Sequence, residues 1–296
     1  MRGCIETPQS RWSREAGVKI EETAIAESKT GVETDRKAEL LRQLQQARSS
    51  PDASAILTTG KALEDAYGHD PSVMKEVGIA YCANEETRRD GIQLLSQLAE
   101  KTAAVDIYSE LAKAYGAAQQ WEAAALNFFR AGEMAKSDGG KFLFWAQAAY
   151  MYWLNHNYQG AAEVGQKVVD IALHLGGGEE RTAKNALAYY WAELGQNLQT
   201  GLEWCLDILE IPKDESFVSR IESGRFRTEP DDETNGARMI DTLGRIVESL
   251  GGNLDALRLY RKASQLCPTN PVNKQNLNRV FLRLAEEMGV PFSAQR

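Results

Sequence analysis

The chain has 296 residues, 43% hydrophobic and 26% charged, which is enough apolar content for a sizeable core and too much for wholesale disorder. Its 34 Lys and Arg against 42 Asp and Glu leave a formal net charge of −8, and no Lys/Arg block supplies the concentrated cationic surface that phosphate-backbone binding needs, so no nucleic-acid partner is expected. Cys4, Cys82, Cys205 and Cys267 lie far apart with no CxxC pair, which excludes a disulfide framework and a zinc site and fits a reducing cytoplasm.

From the N-terminus, residues 1–33 mix Ser, Thr, Glu and Lys without period and read as a mobile tail. Arg2, Glu6, Arg11, Arg14, Glu15 and Lys19 interrupt any apolar run there, so no secretory leader is read. A helical domain is expected over residues 34–290. Its opening stretches, Glu33 to Arg48 with Leu40, Leu41 and Leu44, and Pro51 to Tyr67 with Ile56, Leu57, Leu63 and Ala66, read as a degenerate helix pair. Ser72 to Ile211 contains no proline, the residue that most reliably breaks helices, and this predicts an all-α chain. Phe142 to Ala162 carries no formal charge over a membrane-like length. Its Gln147, Asn155, His156, Asn157 and Gln159 would cost several kcal/mol in hydrocarbon, so it reads as a buried helix followed by a turn, and no membrane partner is expected. Lys213 to Asn235 reads as an insertion, mobile and at the solenoid's edge, with an acidic run from Thr228; the exception is a short helix within Glu215 to Glu222, one turn of which Phe217, Val218 and Ile221 anchor. Val272 to Met288 reads as a lone C-terminal capping helix whose polar face holds Asn276, Asn278, Arg279, Arg283, Glu286 and Glu287.

One pattern recurs along these elements. Leu243-Gly244, Val247, Gly251, Ala256, Tyr260, Ala263 and Pro268 set a small residue at a helix crossing and a bulky one a turn later. A loop glycine follows, then Ala, aromatic and Ala on a second helix closed by proline. Weaker copies lie at Leu111-Ala112, Tyr115, Trp121, Ala124, Phe128, Ala131, at Ala148-Ala149, Tyr152, Tyr158, Ala161, Val168, at Leu187-Ala188, Trp191, Gly195, Gly201, Cys205, and at Gly78, Tyr81, Gly91, Leu95. The bulky residues Tyr81, Tyr115, Tyr152, Trp191, Val247 and Phe281 are spaced near 34 residues apart, except for one longer step that contains the insertion. This pattern resembles the tetratricopeptide repeat (TPR) family over roughly residues 35–288. The resemblance implies a right-handed α-solenoid of about five helix-turn-helix repeats plus end helices. It departs at Gly165, which stands where an aromatic is expected, and at the Trp191 copy, which lacks several large residues.

The sequence shows no convergent catalytic set. His69, His156 and His174 have no motif around them, and Gly176-Gly177-Gly178 lacks the Lys-Ser/Thr of a phosphate loop. No enzyme activity, cofactor or metal is expected, and Cys82, Cys205 and Cys267 read as inert packing thiols. In the TPR family the first helices of successive repeats line a concave groove. Projecting that register here picks out Lys75, Ile79 and Cys82, then Asp106, Ser109 and Lys113, then Ala146, Tyr150 and Trp153, then Asn185 and Tyr189, then Arg238, Asp241, Arg245 and Glu248.

The expected partner-binding residues are Lys113, Tyr150, Trp153, Asn185, Tyr189, Arg238 and Arg245, with Lys113 and Arg245 steering acidic groups. Tyr150, Trp153 and Tyr189 either pack the core or offer contact area beside Tyr152 and Trp191, which take interior slots. Ile79 follows Lys75 where the family's carboxylate clamp has Asn, so that clamp is not expected. The resemblance implies a non-catalytic scaffold or adaptor that binds a protein or peptide segment, with a ligand- or signal-peptide-sensing regulator as the alternative; it sets no oligomeric state.

Overall fold

The computed structural model describes residues 33–49, 52–176, 178–212, 216–227 and 233–289. The tail read over 1–33 and the acidic run from Thr228 therefore lie almost wholly outside the described residues. Every regular element described is an α-helix, and the chain divides into two compact units, Met1–Ala103 and Ala104–Arg296.

The first unit contains α1 (33–48), α2 (Ala53–Tyr67), α3 (Pro71–Ala83) and α4 (Arg88–Thr102). Asp52 and Asp70 start α2 and α3 by accepting the amides of Ser54 and Ser72, each at 2.9 Å, and Pro71 supplies a first helical residue that has no N–H to satisfy. Leu44, Ile56, Leu63, Val73, Val77 and Tyr81 form the core. Lys37 of α1 donates to the Asp70 carboxylate at 2.5 Å, which with the Ser72 bonds holds that carboxyl well below its usual range. A methyl group on Gly91 would lie 2.6 Å from the Cys82 amide nitrogen and 2.7 Å from the Gly78 carbonyl, so α3 and α4 cross at glycine because no side chain fits.

The second unit contains α5 (Val105–Ala117), α6 (Trp121–Met134), α7 (Asp138–Leu154), α8 (Tyr158–Leu175), α9 (Gly178–Leu194), α10 (Leu198–Ile208), α11 (Phe217–Glu222), α12 (Glu233–Ser249), α13 (Asn253–Leu266) and α14 (Pro271–Glu287). Sequential helices pack as pairs, α5 on α6, α7 on α8, α9 on α10 and α12 on α13, and each pair meets the next through α6 on α7, α8 on α9, α10 on α12 and α13 on α14. First helices also touch directly where α12 packs on α9. This is the TPR-like arrangement that the repeat pattern implies. The uncharged stretch 142–162 is parts of two helices, α7 and α8, joined by a turn at Asn155–Asn157, where Asn157 accepts the Gly160 amide at 2.9 Å. Among the described residues no helix is long and apolar enough to cross a membrane.

The small and large residues of the repeat meet as the pattern requires. Gly244 lies under the fully buried Tyr260 ring, where a methyl group would come within 2.8 Å of a ring carbon. The missing aromatic at Gly165 is supplied from the next helix: the Tyr190 ring of α9 fills the space above that glycine, 3.3 Å from where a methyl group would sit. Interior filling differs from the sequence reading in one respect. Tyr115, Tyr152 and Trp191 are only half-buried, whereas Trp145, Tyr190, Ala148 and Ala188 are buried, because each helix is gripped on two sides and the register alone does not say which neighbour is closer.

Two further readings are corrected in part. Residues 216–227 are packed rather than loose: Val218 and Ile221 are buried in the core, α11 packs on α13, and Glu222 pairs with Arg258. The chain then returns through the Arg227 amide donating to the Leu209 carbonyl at 3.1 Å, with its guanidinium on Glu210 at 2.6 Å. The polar face of α14 does not all face water. Asn276 is 3% exposed and donates to both Asp241 carboxylate oxygens at 2.9 and 3.1 Å, while Arg279 and Arg283 reach Glu248 at 2.7 and 3.1 Å.

Candidate functional site

Five of the expected residues converge. Tyr150 and Trp153 of α7, Asn185 and Tyr189 of α9, and Arg238 of α12 line one open groove of about 460 Å³. The convergence follows from the 3.6-residue period. Tyr150 and Trp153 lie three residues apart on one face of α7, Asn185 and Tyr189 lie four apart on α9, and Arg238 and Asp241 lie three apart on α12. Their first-helix placement brings the three faces together.

The aromatic wall is ordered by its own ring contacts. Tyr150 stacks on Trp153 with centroids 5.5 Å apart and planes at 21°, and Tyr189 meets Trp153 edge-on at 6.2 Å and 76°. Tyr150 is 47% exposed, so the outer part of the wall faces solvent, while burial raises the Tyr189 hydroxyl well above its usual range and keeps it a neutral donor.

The groove is polar as well as aromatic. Asp241, Thr242, Asn270 and Asn273 line it with Val272, and none except Asp241 was picked out by the repeat register. Asn270 caps α14 by accepting the Val272 amide at 3.0 Å. Asn273 is 1% exposed and donates its amide to the Ala263 carbonyl at 3.2 Å, which fixes its oxygen on the other side. That oxygen and the Asn185 side-chain oxygen are buried and have no hydrogen-bond partner among the described residues. The only sequence signal for the α14 contribution is the run of asparagines at 270, 273, 276 and 278, because apolar periodicity cannot tell a groove-facing amide from a solvated one.

Lys113 and Arg245 are placed differently. Lys113 of α5 is largely exposed, pairs with Glu110 at 2.7 Å and does not line the groove. Arg245 makes a two-pronged bond to Glu193 at 2.9 and 2.7 Å and a third contact to Glu248 at 3.0 Å. Its charge is therefore already matched inside the fold, and the basic residue that lines the groove is the exposed Arg238. Glu248 is the hub of this network, accepting Tyr260 Oη at 2.9 Å as well as Arg245, Arg279 and Arg283. Burial works against its ionisation, but Arg279, supported by Arg245 and Tyr260, holds its carboxyl below the usual range. Asp241 is the opposite case. Burial raises it to about 6 despite the Asn276 bonds and the nearby Arg279 and Arg245. The Cys205 thiol is fully buried and pushed up to about 12 by desolvation, which makes it a poor nucleophile.

The groove and the helix pairs define an all-α, TPR-like helical repeat protein. No family model and no curated protein matches the chain. Among solved structures, TPR-like repeats of a kinesin light chain from Podosopora anserina are 19% identical, with 66% of this chain and 93% of that one covered and a TM-score of 0.45. YrrB, described as a TPR protein with an unusual peptide-binding site, is 12% identical over 76% of this chain and 98% of that one, with a TM-score of 0.47. The apo quorum sensor NprR from B. thuringiensis is 15% identical over 93% of this chain and 78% of that one, also at 0.47. At these identities and scores the TPR-like reading rests on the chain's own register and helix pairing.

Proposed function

We propose that the chain is a non-catalytic binding module that holds a protein or peptide segment in the groove of its second unit. The observation that carries this reading is that one open cleft is lined both by a part-exposed aromatic wall, Tyr150, Trp153 and Tyr189, and by Asn185 and Asn273, whose buried amide oxygens have no partner among the described residues. Aromatic side chains give large contact area at low entropy cost, and an unsatisfied buried acceptor costs about 1–3 kcal/mol until a ligand or water donates to it. A cleft so built gains from an occupant that brings both apolar surface and N–H donors, as a peptide does.

Selection of a random-peptide display library on the full chain tests this. Binders should be enriched on the wild type and lost on Tyr150→Ala with Trp153→Ala, with the double variant still melting cooperatively. Enrichment that is equal on both proteins would place binding elsewhere.

A further inference from the structure

The polar atoms of this groove are arranged for a particular kind of side chain. Asn185, Asn273 and Asp241 all line this cleft: the two amide oxygens are buried with no hydrogen-bond partner among the described residues, and the Asp241 carboxylate accepts a single amide, that of Asn276. The Asn273 oxygen cannot be exchanged for its nitrogen, because that nitrogen is already committed to the Ala263 carbonyl. The same cleft is lined by three aromatic rings in mutual contact, and the negative π faces of such rings favour cations. Arg279 and Arg245 are the cations whose charge acts on the Asp241 carboxyl. Both are engaged, Arg245 by Glu193 and Glu248 and Arg279 by Glu248 and Asn276. Arg238, the basic residue among those lining the groove, is exposed.

We infer that the groove recognises a basic side chain, a guanidinium or ammonium presented by a bound peptide, with its N–H groups directed to Asn185, Asn273 and Asp241 and its charge set against Tyr150, Trp153 and Tyr189. The inference deepens the proposed peptide-binding reading and rests on it. An apolar side chain would leave the two amide oxygens desolvated and unpaired. An acidic one would add charge beside Asp241. A guanidinium supplies several N–H donors in one plane and stacks on aromatic rings, so arginine should be preferred to lysine.

Blocked five-residue glycine peptides with a central arginine, lysine, norleucine or glutamate separate the possibilities, titrated against the full chain by tryptophan fluorescence and calorimetry. The arginine peptide should bind at least about tenfold more tightly than the norleucine and glutamate peptides. Asp241→Asn and Asn185→Leu should each bring the arginine peptide to the affinity that the norleucine peptide has on the same variant, and the melting curve of each variant reports its folding. Equal binding of norleucine and arginine would overturn the inference but leave a peptide groove standing. Tighter binding of glutamate, or a preference for arginine that survives both substitutions, would also overturn it. If the display selection in addition yields no binder sensitive to Tyr150 and Trp153, the peptide-binding reading itself fails.

Discussion

Asp241 and Glu248 lie seven residues apart on α12, and their surroundings push them in opposite directions. Glu248 has four donors around it and is held ionised; Asp241 has one amide and more distant cations, and burial raises it from an ordinary 3.8 to about 6. The sign of the resulting pH dependence is fixed by linkage. A carboxyl that holds its proton more tightly when folded makes the folded state bind more protons than the unfolded one, so its effect on stability worsens as pH rises from about 4 to about 6. Above that window its contribution is an unfavourable one on the order of 3 kcal/mol. Asp241→Asn removes this component, and the unfolding midpoint measured in urea across pH 4 to 8 should fall less steeply from 4 to 6 in the variant than in the wild type. An identical slope in both would mean that the carboxyl is not desolvated as the structure has it.

At the scale of helices, the repeat is held by small residues at crossings and large ones over them. Gly244 and Tyr260 show what this requires, since the ring occupies the place of the missing side chain and its hydroxyl is tied to Glu248 at 2.9 Å. Gly244→Ala puts a methyl group 2.8 Å from that ring, which cannot retreat without breaking the Glu248 bond. A loss of roughly 1–3 kcal/mol is expected from such overpacking, even though alanine is the better helix former. Thermal or urea unfolding followed by circular dichroism checks it, and an unchanged or raised stability would show the crossing to be looser than described. The same logic explains why Gly165 was unreadable in advance: its covering aromatic, Tyr190, comes from the following helix and has no fixed offset within the repeat.

At the scale of the molecule, the residues of the groove, from Tyr150 to Asn273, all belong to the unit Ala104–Arg296. Stacked helix pairs depend on their immediate neighbours, and this unit holds four complete pairs, α5 to α10 and α12 with α13. Residues 104–296 expressed alone should therefore give a helical spectrum, a cooperative melt and the same peptide preference as the full chain. A fragment that fails to melt cooperatively would show that the first unit is required for the fold of the second.

The sequence by itself determined the helical class, the pairing and the face on which Tyr150, Trp153, Asn185, Tyr189 and Arg238 stand, because helical periodicity and small-large spacing are local properties written within about 34 residues. Only the tertiary structure decided which charges are engaged and which acceptors are orphaned. Arg245 pairs with Glu193 across 52 positions, Asn276 with Asp241 across 35, and the capping helix turns part of its polar face inward to complete the cleft with Asn270 and Asn273. Such pairings are set by where non-adjacent helices touch, and no repeat period encodes them, since the energy of a buried polar group depends on its particular partners rather than on its place in the helix.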